Sequence, residues 1–468
     1  MPPSDTFEEM RVVPVAPRYG SGMGGPSRDY EQRTSVELFA GGGGLAMAVH
    51  RAAFRPLLFN EFNEPACRTL LASGKRTLTD DGLVRIDETT PKPPAPGEPA
   101  PLYPKDVRQL DLSAFEGMVD ILAGGPPCQP FSAGGVAKGD EDRRNMFPAL
   151  FKAVREMRPK AVLCENVRGL LRPSFAEYFR YIQNELKLPF EKRDDDARWQ
   201  DHNAHLTGIL DELSPDDSDP DHYKLVVVPV NAADYGVPQI RNRVVIVAFR
   251  SDLGINVDTF EKFVKMPQFS ENALYRSMQD EDGPYWQRHP EVPAHLRDEV
   301  RARVPKVPKK DDCAPWRTLR DAIQGYGTED LLSALPKVDC GRLEEKFDFG
   351  QEIGVSHHVG WPGARIYKGH TPNELDRPAK TVKAGVHGVP GGESVMLVDE
   401  PFRGQDGQLC QHRYMTVRET ARVMTFPDEW VGSGPRGEQM RQLGNAVPVL
   451  LGEFFARAIA DALAEVGS

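Results

Sequence analysis

From Thr34 to about residue 250, short apolar runs alternate with segments whose apolar positions recur at helical spacing, which predicts strands alternating with helices. Ser35–Phe39 reads as a strand running into Gly41–Gly44, with Leu45–Arg51 helical behind it. Pro56–Asn60 reads as a second strand, its proline at the first position, where a missing N–H is tolerated. A helix over Pro65–Leu71 follows. Met118–Ala123 is an apolar strand ending in Gly124-Gly125-Pro126-Pro127, and Met146–Met157 is a helix. Ala161–Cys164 is a buried strand, Phe175–Leu186 a helix, and Lys224–Val230 and Val244–Phe249 close the series as strands. Strands separated by helices of this length imply right-handed crossovers and a mostly parallel sheet covered on both faces.

Several stretches depart from that rhythm. Residues 1–33, rich in Pro, Gly, Ser and charge, read as a disordered tail ahead of a first domain over 34–250. Residues 91–104, PKPPAPGEPAPLYP, look too proline-rich for regular structure. Residues 191–222 hold eleven acidic side chains against three basic ones and read as a solvated surface loop. After Arg250 the sequence turns irregular, which suggests a second, smaller domain of loops and short strands over 251–430. In the closing segment, 431–468, a helix from about Pro448 to Val466 has apolar residues at helical spacing and is expected to pack back on the first domain.

Composition narrows the setting. Hydrophobic residues at 40% and charged residues at 27% fit a globular chain, and no run of eighteen apolar residues suggests a membrane helix. The acidic, proline-containing start lacks the features of a secretion signal. The six cysteines (67, 128, 164, 313, 340, 410) lack metal-like spacing, so a reduced, cytoplasmic protein without metal is expected. The net charge of −11 hides its distribution: Arg297–Arg320 carries eight basic residues against four acidic ones. Arg365, Lys368, Arg377, Lys380 and Lys383 form a second basic cluster. Nucleic acid responds to local phosphate-facing charge, so overall acidity does not exclude it.

The candidate chemistry lies at strand ends. Gly41–Gly44 between a strand and a helix allows close backbone approach to a ligand, and Glu61 after the second strand suits ribose hydroxyls. Asp106, before the next strand, suits an adenine amine. In GGPPCQPFS, two glycines and two prolines fix Cys128 on a loop at a strand's carboxyl end, where it is a nucleophile candidate. Glu165 ends the next strand and is placed to face the same crevice.

These motifs, in their order, resemble those of the C5-cytosine DNA methyltransferases of the bacterial modification type. The resemblance covers most of 34–250 and 361–468, through ELFAGGGG, NEFNEPA, DVRQLD, GGPPCQPFS, RRNMF, CENVRGLL and NAADYGVPQIRNRVVIVAF, then RPAKTVKA, RYMTVRETARVMTFPDEW and QLGNAVPVLL. It implies an α/β fold: a Rossmann-like S-adenosylmethionine-dependent methyltransferase sheet with a second, smaller, irregular target-recognition domain, its variable part at about 251–375. It also implies base flipping, with Cys128 adding to carbon 6 of the cytosine, Glu165 acting at N3, and Arg241 and Arg243 contacting the flipped base and its surroundings. Phe39, Ala40, Gly41, Gly43, Gly44, Glu61, Asp106, Val107, Pro127 and Met146 would line the S-adenosylmethionine site, joined by the C-terminal turn Asn445, Ala446 and Val447. Gln129, Ser132, Arg143, Arg365, Tyr367 and Thr381 would lie near DNA, with residues 132–145 as a basic lid.

The expected partners are double-stranded DNA and a cognate restriction endonuclease, for a monomer acting on the nucleoid. Three other readings compete. An RNA methyltransferase of the same family fits less well with the long basic segment, and a catalytically dead DNA-binding relative fits less well with intact Cys128, Glu165 and Arg243. A nicotinamide-dependent oxidoreductase explains the Gly-rich turn and Glu61 but leaves GGPPCQPFS unexplained.

Overall fold

The computed structural model describes residues 33–127, 145–194, 196–214, 216–326, 332–366, 368–384, 394–403, 407 and 409–466. The alternating half holds β1 (Thr34–Leu38), α1 (Gly44–Arg51), β2 (Arg55–Asn60), α2 (Glu64–Thr77), β3 (Leu83–Arg85), β4 (Ala100–Tyr103) and β5 (Ile121–Gly124). It continues with α3 (Phe147–Met157), β6 (Ala161–Val167), α4 (Ala176–Lys187), α5 (Trp199–Glu212), β7 (Tyr223–Asn231) and β8 (Asn242–Arg250). These strands form one sheet in the order β3-β4-β2-β1-β5-β6-β8-β7. β3 through β6 run parallel, while β8 lies antiparallel to β6 and β7 antiparallel to β8. From β1 the chain moves to β2 on one side, and from β5 to β6 on the other, with β4 and β8 each returning inside the edge strands β3 and β7. The crevice between the ends of β1 and β5 is therefore the topological switch point, where open α/β sheets bind ligands.

Alternation along β1 divides the sheet into two faces. Val36 and Leu38 join Phe147, Phe151, Tyr178 and Ile182 of α3 and α4. The other face, with Ala123, Leu163 and Val247, is covered by Leu45 and Val49 of α1, by Phe260 of α6 (Val257–Val264), and by Phe455 and Ile459 of α13 (Val449–Val466). The last helix thus packs on the sheet. The remaining helices are α7 (Glu271–Met278), α8 (Pro284–Arg288), α9 (Ala294–Arg303), α10 (Leu319–Gln324), α11 (Val417–Val423) and α12 (Arg436–Asn445). A hairpin pairs Val395–Arg403 with Leu409–Tyr414. The second half is therefore more helical than its irregular sequence suggests. Leu319, Met415, Met424, Phe426 and Trp430 share one apolar cluster with Met47, Phe59 and Leu70.

Two other expectations are corrected. The proline-rich stretch contributes β4, whose Leu102 pairs Phe59 of β2 and whose Pro101 pairs Val84 of the short outer strand β3. The acidic stretch contributes α5, which buries His202, Asn203 and Leu206 against α4 while its carboxylates face outward. The tail at 1–32 lies outside the described residues. Among the described residues, no helix is long and apolar enough to cross a membrane.

Candidate active site

At the end of β1 the backbone enters the left-handed region at Phe39 (φ 58°), Gly41 (φ 55°) and Gly43 (φ 93°), and Gly43 serves as the N-cap of α1. A Cβ added at Gly41 would meet nothing within 4 Å. At Gly44 the opposite holds: a Cβ would overlap the Val447 carbonyl and crowd Phe426 and Ala446. The turn after α12 thus backs the Gly-rich turn, leaving Gly41 on the open side. Glu61 closes that side, its Oε2 accepting from Gly41 N (2.7 Å) and its Oε1 from Phe62 N (2.8 Å) and Asn63 N (2.6 Å). Phe62, a residue that sequence reasoning passed over, is 76% exposed beside it. An aromatic directly after Glu61 was visible in the sequence, but its exposure was not.

The other side of this crevice is tied in through Asn60. Its amide donates to the carbonyls of Tyr103 (3.1 Å) and Lys105 (2.9 Å), fixing the chain that leads to Asp106. Asp106 caps the short turn over Val107–Gln109, and the Arg108 guanidinium bonded to it holds its carboxyl below the usual range. Val107 is buried, and Phe39 and Met146 both pack on the cluster beneath α3. Phe39, Ala40, Gly41, Gly43, Gly44 and Glu61 are therefore brought together with Ala446 and Val447, while Asn445 points its side chain to solvent.

At the neighbouring strand ends, Glu165 is 8% exposed and lies 2.8 Å from Arg243, Oε1 to Nε. The N–H is not aimed at that oxygen, which has no directed hydrogen bond, so the contact is a close ion pair. Register explains the meeting. β6 ends where the antiparallel β8 begins; Val167 pairs Arg243 and Glu165 pairs Val245, which makes Glu165 and Arg243 diagonal neighbours on one face. Gly125 packs over the same carboxylate, its Cβ position 3.8 Å from Glu165 Oε2. Asn166 holds the loop there by donating to the Pro126 carbonyl (3.1 Å). Pro127 is exposed, and Cys128, the next residue, lies outside the described residues together with Gln129, Ser132, Arg143 and the rest of the expected lid up to residue 144.

Arg241 does not join Arg243 at this edge. It is 1% exposed, with its guanidinium donating to the carbonyls of Val382 (3.0 Å), Gly444 (3.0 Å) and Ala446 (2.8 Å). Thr381 likewise turns inward, donating to the Ile240 carbonyl (2.8 Å). Arg365 is exposed beside the Val395–Tyr414 hairpin, where Ala364 O meets His412, and Tyr367 lies outside the described residues. The basic segment is also partly structural: Arg320 is buried between Asp376 and Asp399, while Lys306, Lys309 and Lys310 stand exposed.

A model of the C-5 cytosine-specific DNA methylase family matches residues 100–188 and 199–461. The chain belongs to that family. As a C-5 cytosine-specific DNA methylase it transfers methyl groups to cytosine in DNA, and the family takes them from S-adenosylmethionine. The methylase is 31% identical to the Type II methyltransferase M.NgoMIV of Neisseria gonorrhoeae, over 92% of this chain and 98% of that protein. It is 28% identical to the Type II methyltransferase M.Eco47II of Escherichia coli, over 92% and 80%. Its fold matches a crystal structure described as a DNA modification methyltransferase of an E. coli prophage, with TM-score 0.51, 18% identity, and coverage of 92% of this chain and 99% of that one.

Proposed function

We propose that the methylase modifies carbon 5 of a cytosine flipped out of duplex DNA, through a transient bond between Cys128 and carbon 6, as the modification partner of a restriction endonuclease. The observation that carries this reading is the Glu165–Arg243 pair at the sheet's carboxyl edge, under the Gly125-Pro126-Pro127 loop that leads to Cys128. The Cys128 thiolate adds to carbon 6, turning the ring into an enamine whose carbon 5 becomes nucleophilic. Glu165 holds a proton at N3, where the electron density collects, and Arg243 orients that carboxylate and offers N–H groups to the base. Bound S-adenosylmethionine supplies a methyl group on a cationic sulfur. Loss of the carbon 5 proton then expels the Cys128 thiolate.

The open side of Gly41 fits that methyl donor: backbone can approach a ligand there, Glu61 offers acceptors for ribose hydroxyls, and exposed Phe62 offers a ring face for adenine. Asp106 and Val107 complete the adenine end, with Pro127 and Met146 on the methyl-transfer side. Residues 251–375 carry target recognition, with Lys306, Lys309 and Lys310 meeting phosphates; exchanging this segment for that of a relative should move methylation to the relative's site. Tritiated-methyl transfer to DNA and RNA offered separately, followed by trapping on DNA with 5-fluorocytosine at the target, tests the whole reading. Fluorine cannot leave as a proton does, so a covalent adduct at Cys128 is expected; an adduct elsewhere, or transfer to RNA alone, refutes it.

A further inference from the structure

We infer that Arg241 is a positioning residue that holds the cofactor-side turn against the strand presenting Arg243 to the base, an inference resting on the Gly-rich turn as the methyl-donor site. The backbone of Arg241 is fixed in the β7–β8 connection, where its carbonyl accepts from Ala232 N (2.9 Å). Its side chain reaches into the place where the chain around Val382 meets the end of α12. Those carbonyls need such a donor. Gly444 and Ala446 lie at a helix C-terminus, where carbonyls lack intrahelical partners and the dipole favours a cation. The two segments pack so closely that a Cβ at Gly444 would overlap the Lys383–Ala384 backbone. A planar guanidinium spreads its donors over separate nitrogens, Nη1 for Val382 and Nη2 for Gly444 and Ala446, whereas an ammonium donates from a single atom on a flexible stem. Beyond Ala446, the Val447 carbonyl sits where a Gly44 side chain would be. One charged group thus links two parts of the site: two residues along the chain is Arg243, and one carbonyl away is the floor of the Gly-rich turn.

Calorimetric binding of S-adenosylhomocysteine to the full chain tests this. Gly41→Val checks the underlying site, and if it binds like the wild type the donor site itself is misplaced. With Gly41→Val defective, Arg241→Lys should weaken binding about tenfold or more, given the strength of charge-assisted hydrogen bonds to carbonyls. Arg320→Lys, an equally buried arginine paired with Asp376 and Asp399, should lower Tm yet leave this affinity within about twofold. In turnover, Arg241→Lys should raise KM for the methyl donor more than it lowers kcat. Unchanged affinity, or a kcat loss at constant KM, overturns the inference in favour of a scaffold role or direct contact with the base. If the variant does not fold, amide exchange of the wild type decides: S-adenosylhomocysteine should protect both the 444–447 turn and residues 379–382, and protection of the turn alone overturns it.

Discussion

Replacing Glu37 with glutamine should remove most of one pH dependence of the fold. Glu37 lies in the middle of β1, 1% exposed, and neither carboxylate oxygen has a hydrogen-bond partner. By alternation with Val36 and Leu38 it faces the side covered by α1 and α13, next to Ala123 of β5. Burial pushes its pKa up to about 8. In the unfolded chain a glutamate titrates at ~4.3. Below that pH both states are neutral and the group costs nothing by ionisation. As pH rises toward 8 the unfolded state ionises first, so stability falls by about 1.4 kcal/mol per pH unit and levels off once the folded state also ionises. The full loss approaches ~5 kcal/mol, an upper limit because water entering the site would soften it. Between pH 5.5 and 8.5 the difference between Glu37→Gln and wild type should change by about 3 kcal/mol in favour of the variant. Urea unfolding followed by tryptophan fluorescence at several pH values measures it, other titrating groups cancelling in the comparison. Parallel stability profiles would refute the reasoning and mean that Glu37 is already ionised or has a partner.

Cys128→Ser should abolish methyl transfer while S-adenosylhomocysteine still binds, since the thiolate acts on the base and a serine hydroxyl ionises far less readily; calorimetry beside a transfer assay checks both halves, and substantial turnover contradicts the covalent route. Arg243→Ala should lower kcat by roughly a hundredfold or more on every target without changing site preference, because it unpairs a buried carboxylate that acts on the base. Methylation mapping on genomic DNA shows whether preference moves, which would assign Arg243 to sequence readout instead. Replacing Lys306, Lys309 and Lys310 with alanine should flatten the salt dependence of DNA affinity, the log–log slope falling by about 0.9 for each phosphate that is no longer neutralised. An unchanged slope places these lysines away from DNA.

What could be read from the chain followed from how strongly each residue constrained its neighbours. β1 with its Gly-rich turn and the strand carrying Glu165 were legible because apolar runs end there in residues that no core requires. α5 was hidden by its composition: Trp199, Leu206, Ile209, Leu210 and Leu213 recur at helical spacing, but the carboxylates between them read as loop. β4 was hidden by its prolines, although Pro101 sits opposite the short outer strand β3, where one lost N–H costs little. The two arginines after Gln239 were separable only with the strand start known. β8 begins at Asn242, so the two-residue alternation that aims Arg243 at Glu165 does not extend back to Arg241. That guanidinium instead finds carbonyls some two hundred residues away, and no local pattern announces such an interaction.

The packing of α13 over α1 has a bearing on biosynthesis. The two helices are separated by most of the chain, yet Gly452 fits against Ala48 and Leu45 so closely that a side chain there would collide with both. Until α13 leaves the ribosome, the side of α1 that it covers remains bare. The helix behind the Gly-rich turn, translated among the first parts of the fold, is covered by one of the last. A product that stops short of α13 is thereby left with an uncovered apolar face on α1, the kind of surface on which nascent chains aggregate.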